Sequence, residues 1–169
     1  RCDLHTCSEL MISWILTLNV ASTLVMAGLI WLVQLVHYPA FGFVSEAAFP
    51  QFAVFHQQRI SLIVVPVMLL ELVTTLLMIY KPHPAFPLRM ALASAVCLAV
   101  VWFSTILLQM PVHQQFIAGK NSALIAELTL GNWWRTGAWS IRVVLLGIVL
   151  QRCAANYAAP AQNSSSTRQ

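Results

Sequence analysis

The segment LMISWILTLNVASTLVMAGLIWLVQLVHYPAFGFVS, residues 10–45, contains no Asp, Glu, Lys or Arg. A second uncharged segment, MALASAVCLAVVWFSTILLQMPVHQQFIAG, fills residues 90–119. Each is longer than the roughly 20 apolar residues that a helix needs to cross a bilayer core. Across all 169 residues only 8% are charged and 59% are hydrophobic, with a mean hydropathy of +0.77. A soluble domain carries about 25% charged residues, so a water-soluble globule is excluded. The net charge of +4 does not point to nucleic acid. Its basic residues are scattered between apolar runs and form no contiguous phosphate-binding face.

Four apolar spans are expected, at about 11–36, 60–80, 90–110 and 133–151. With no water to satisfy the backbone inside a bilayer, runs of this length must be helices. The fold expected is an all-α, up-and-down four-helix membrane bundle with both termini on one side. Residues 1–10 read as a polar leader, with Met11 a candidate natural start. Residues 11–153 form the membrane domain, and residues 154–169 read as a disordered tail. Connections of about 23, 9 and 22 residues follow, the middle one holding three prolines from Lys81 to Arg89 and turning tightly. Arg1, Lys81, Arg89, Arg152 and Arg168 fall on the side of the termini, against Arg59, Lys120 and Arg135 on the other. Positive-inside bias puts the termini in the cytoplasm. Cys2, Cys7, Cys97 and Cys153 have no metal-ligand or disulfide-framework spacing and read as free thiols.

Alternation of the spans brings the end of the first, the start of the second, the end of the third and the start of the fourth to one membrane face. The polar residues gather there. Gln34, His37 and Tyr38 end the first span, and His56 and Arg59 enter the second. Gln109 and His113 end the third, and Asn132 and Arg135 begin the fourth. Trp139 and Arg142 continue the edge of Arg135 at helical spacing. Polar edges on apolar helices turn toward one another and away from lipid.

Glu71 and Arg142 lie deep within their spans. Either would cost roughly 2.5–3.5 kcal/mol facing lipid, so mutual pairing is expected. That pair is either a structural ion pair setting bundle register or a protonatable carboxylate at the base of a substrate cavity. Pro66 should kink the second helix one turn before Glu71. His37, His56 and His113 come from three helix ends and serve either as interfacial, hydrogen-bonding groups or as ligands of haem, iron or copper. No motif names a cofactor. Trp133 and Trp134 read as an interface anchor at the helix entrance.

Several of these residues together resemble a family. Gly28 leads to Pro39 at the end of the first span, and Met110-Pro111-Val112-His113 ends the third. Asn132-Trp133-Trp134-Arg135-Thr136 fits an Asn-x-x-Arg-Thr pattern at the fourth. The chain from Met11 to Arg152 is similar to the anthrone-oxygenase-like small four-helix membrane proteins. It departs from them at His113, where an asparagine is usual, and at Leu128, where a tryptophan is often found. The resemblance implies a bacterial inner-membrane protein with a pocket for a lipophilic, phenolic or polycyclic molecule. It also implies oxidation of anthrones without an obvious bound cofactor, with Asn132 and Arg135 lining the pocket. For such chemistry a base is needed to make the phenolate, from among His37, His56 and His113. Arg135 or Arg142 would hold the oxyanion.

Two other classes stand beside this one. An accessory subunit of a larger membrane complex, or a homo-oligomer, would use a small-residue stripe such as Ala91, Ala93, Ser94, Ala95 and Ala99 facing lipid. A proton-coupled transporter element would use Glu71.

Overall fold

The structure is a computed structural model that describes residues 4–166, and the side chains of residues 10–155. Four rods long and apolar enough to cross a membrane run over Leu10–Phe43, Phe49–Tyr80, Leu88–Ala118 and Ser122–Ala155. Among the described residues there is no β-strand. Neighbouring rods are antiparallel. Asn19, Thr23 and His37 of the first meet Thr74, Glu71 and His56 of the second, in descending order. The first and third rods each pack against the second and fourth, so the cross-section is a square of consecutive neighbours. This is the expected all-α up-and-down bundle, and its class is that of an integral membrane protein.

The rods are longer than the sequence reading expects. The two long connections shrink to residues 44–48 and 119–121. Hydropathy ended the first and third spans at their proline-containing polar ends, but the helices continue through them. Proline lacks an N–H, and its ring excludes the carbonyl four residues earlier. The chain answers with a widened turn just before each proline. The π-helical segments are Val33–His37 ahead of Pro39 and Thr105–Gln109 ahead of Pro111. Tyr38 N–H donates to Val33 O, and Met110 N–H donates to Thr105 O, a five-residue step that accommodates the ring.

The second helix starts at Phe49 rather than near 60 because Pro50 suits a first turn, where no N–H is needed. The fourth starts at Ser122 rather than near 133. Asn121 Oδ1 caps it, accepting from Ala123 N–H at 2.9 Å and Leu124 N–H at 3.3 Å. Gly119 ends the third rod at φ 144°, a backbone conformation that disfavours a Cβ. Lys120 Nζ then donates to the carbonyls of Gly42 and Val44, tying both loops of this end together. The Trp133–Trp134 pair consequently sits inside the fourth helix, where Trp133 meets Trp31 edge-on at 5.8 Å.

At the other end of the chain the α-helix that begins at Ser122 runs to Ser166, across the segment expected to be disordered. The first helix likewise begins at Leu4, inside the expected leader. Cys97 and Cys153 are free, whereas the Cys2 and Cys7 side chains lie outside the described residues.

Two apolar clusters fill the bundle. One, with Met26, Phe41, Phe49, Met68, Phe116 and Trp139, occupies the half with the two short loops. The other, with Leu16, Met78, Phe86, Ala91 and Leu146, occupies the half with the termini. A polar layer separates them. The outer surface is apolar, with Val25, Leu62, Leu69, Val96, Phe103 and Val144 exposed as lipid contact requires.

Candidate functional site

The polar layer is a closed network. Glu71 and Arg142 stand on diagonally opposite helices and meet at the bundle axis, Arg142 Nη2 lying 3.3 Å from Glu71 Oε1. Thr23 Oγ1 donates to Glu71 Oε1 at 2.8 Å and accepts from Arg142 Nη2 at 2.9 Å. Trp139 Nε1 donates to Glu71 Oε2 at 3.0 Å, and Arg142 Nη1 donates to the Ser94 carbonyl at 3.1 Å. All four helices are therefore joined through one ion pair. Neither residue belongs to the lining of the cavity described below, so the geometry matches the register-setting alternative better than a carboxylate lining a substrate cavity.

A second scaffold element lies nearer the short loops. Gln34 Oε1 accepts from Asn132 Nδ2 at 2.9 Å and from Thr136 Oγ1 at 3.3 Å. Gln34 Nε2 donates to the Thr129 carbonyl at 3.1 Å. Asn132 and Thr136 of the Asn-x-x-Arg-Thr pattern thus clamp the first helix to the fourth, with Asn132 buried in that clamp.

Between these elements is a cavity of about 240 Å³. Its apolar walls include Met26, Ile30, Val64 and Met68, and its polar groups are Tyr38, His56, Gln109, His113 and Arg135. The interruption of regular helix explains why it exists. The two π-turns and Pro66 fall in three of the four helices that wall it, and each interrupts regular helix at that level.

The histidines converge, as the span alternation predicts. His37 Nε2 and His56 Nδ1 are 2.8 Å apart, and the His56 and His113 rings are 5.4 Å apart. Tyr38 OH donates to Gln109 Oε1 at 3.2 Å and lies 3.4 Å from His113 Nε2. The facing nitrogens of His37 and His56 satisfy one another. Among the described residues no group of three His, Cys, Asp or Glu has the arrangement of a metal site. His37 and His56 thus face one another rather than sharing a metal position with His113.

Arg135 differs from Arg142 in one decisive respect. It is 6% exposed, yet among the described residues no carboxylate lies within 4 Å of it and its Nε has no hydrogen-bond partner. Its guanidinium lies 5.4 Å from the Trp139 ring centroid, so the indole separates it from Glu71. Trp102 Nε1, in another wall of the cavity, is also buried without a partner.

Five of the expected site residues thus line the cavity. His37 and Arg59 instead border a shallow outer groove, with Arg59 over the Phe55 ring at 5.4 Å. Gln34, Asn132, Trp139, Glu71 and Arg142 are scaffold. The small-residue stripe of the third helix is split, because Ala91 and Ser94 face into the bundle. The sequence reading missed the buried phenylalanines of the short-loop end. Phe41, Phe49 and Phe116 are all 0% exposed, and Phe41 meets the rings of His37 and His56 at 5.4 and 5.1 Å. Their signal is compositional, phenylalanines on both sides of the first short loop and one just before the second.

The fold and its buried polar network define an integral membrane four-helix bundle with an amphipathic cavity among its helices. The chain matches no protein-family model, no curated protein and no solved structure.

Proposed function

We propose that this protein is a membrane-embedded oxidoreductase of the oxygenase type that acts on a lipophilic phenolic molecule. One observation carries the reading: His56, His113, Tyr38 and Arg135, a cation with no carboxylate within 4 Å among the described residues, converge on a single apolar cavity. In the tautomer where His56 Nδ1–H donates to His37 Nε2, the other nitrogen of His56 is the base that takes the phenolic proton. Arg135 holds the resulting phenolate, and the surrounding dry walls strengthen that attraction. The electron-rich anion is then open to dioxygen. The activated ring carbon, the CH₂ of an anthrone or a CH ortho to the oxygen of a simple phenol, becomes C=O, one atom of dioxygen entering the product and the other leaving as water. On an anthrone this is the chemistry implied by the anthrone-oxygenase-like resemblance.

The test is oxygen consumption by the purified protein in lipid vesicles, with 9-anthrone and simple alkylphenols as probes. Uptake above the protein-free rate, lost in His56→Gln, supports the reading. Equal rates for the wild-type protein, His56→Gln and protein-free vesicles overturn it.

A further inference from the structure

The cavity has a closed end and an open side. Toward the short loops it is sealed by the fully buried rings of Phe41, Phe49 and Phe116, whose centroids lie 5.2 to 6.1 Å apart. Toward the termini Trp139 packs against Arg135, with the Glu71–Arg142 network beyond it, and none of Trp139, Glu71 and Arg142 belongs to the lining. Sideways, its lining continues to the surface between the second and third helices. Val65, Ile106 and Met110 belong to that lining and are 48%, 48% and 45% exposed on the lipid-contacting face. Ile60, Ser61, Val64, Trp102 and Thr105 form the rest of this slot. The π-turn at Thr105–Gln109 and the nearby Pro66 hold the two helices apart there.

Size adds a second constraint. Pockets that enclose a drug-sized ligand are roughly 300–1,000 Å³, whereas this one is about 240 Å³. It has room for a head of about one ring beside Arg135, while the slot points into the hydrocarbon layer.

We infer that the ligand is a membrane-resident amphiphile with a single-ring acidic head and an aliphatic tail. The head rests on Arg135, and the tail leaves between the second and third helices into lipid. This rests on the proposed function for the acidity of the head, and departs from the compact polycycle implied by the family resemblance. The slot is also the route of loading, because both axial routes are closed by packed side chains.

Three probes test this on the full chain in lipid nanodiscs, at fixed mole fraction in the bilayer: phenol, 4-nonylphenol and 9-anthrone. Binding is read as the shift in thermal unfolding midpoint. A slot-filling variant, Val65→Trp, is compared with the wild type, and its unshifted midpoint without probe checks that it folds. 4-Nonylphenol is expected to bind at least tenfold more tightly than phenol and to lose at least tenfold in Val65→Trp, with phenol unaffected. Equal binding of 4-nonylphenol by wild type and Val65→Trp overturns the slot. Tighter binding of 9-anthrone than of 4-nonylphenol overturns the tail and leaves the proposed function standing. No binding of any probe overturns both. If Val65→Trp proves unfolded, Ile106→Trp on the facing helix carries the same expectations.

Discussion

Arg142 and Glu71 meet across the diagonal of the bundle, at 3.3 Å and with neither side chain exposed. Their partners Thr23, Trp139 and the Ser94 carbonyl make this contact the junction of all four helices. Removing one member strands the other charge in a low-dielectric interior, which typically costs about 3–5 kcal/mol. Arg142→Met and Glu71→Leu should each lower the unfolding free energy in mixed micelles by that amount. The double variant should recover most of the loss, since an apolar pair of similar volume replaces a buried ion pair nearly neutrally. Equal losses in single and double variants would show that the pair is not coupled.

Arg135 should behave in the opposite way. Among the described residues it has no carboxylate counter-ion to abandon, so Arg135→Met removes a buried cation held without an ion pair. The cation–π contact with Trp139 is also lost, an effect of about 0.5–2 kcal/mol. The net expectation is a protein as stable as the wild type or slightly more so, with probe binding reduced at least tenfold. Thermal unfolding with and without 4-nonylphenol reads both quantities in one experiment. A destabilised Arg135→Met protein would point to a structural role instead.

Gln34→Leu should loosen the fourth helix from the first. It orphans the buried amide of Asn132 and leaves the hydroxyl of Thr136 only its backbone bond to Asn132. A buried polar group left without a partner costs about 1–3 kcal/mol. Chemical denaturation in micelles should show a loss in that range, larger than for Gln58→Leu at an exposed position.

Pro111→Ala addresses the widened turn. Restoring the N–H and removing the ring lets Thr105–Gln109 close to regular α-helical spacing. Gln109 would then rotate away from Tyr38, to which it is bound at 3.2 Å. Unchanged or raised stability together with weaker probe binding is expected. If binding is unaffected, the π-turn does not shape the cavity.

Much of this architecture is legible in the sequence. The two uncharged segments forced membrane helices, and alternation of four spans brought His37, His56 and His113 to one face before any contact was known. The depth of Glu71 and Arg142 forecast their pairing, because neither could face lipid. Helix ends were less legible. Pro39 and Pro111 read as stops, yet a proline ends a helix only if the backbone cannot widen to admit its ring. The residues that start the second and fourth helices, Pro50 in a first turn and Asn121 as a cap, lie in stretches that hydropathy passes over.

The sequence by itself therefore determined the number of spans, their antiparallel order and the end at which polar groups collect. These are local consequences of keeping a backbone satisfied and an apolar surface in lipid. Which polar groups are spent on each other and which stay available was decided by the tertiary structure alone. Arg135 and Arg142 lie seven residues apart on one edge of one helix, and nothing local separates them. Arg142 finds Glu71 opposite it, while Arg135 finds a cavity wall. That difference depends on the rotational phase of neighbouring helices. Two π-turns reset that phase, and only the packed bundle reveals the result.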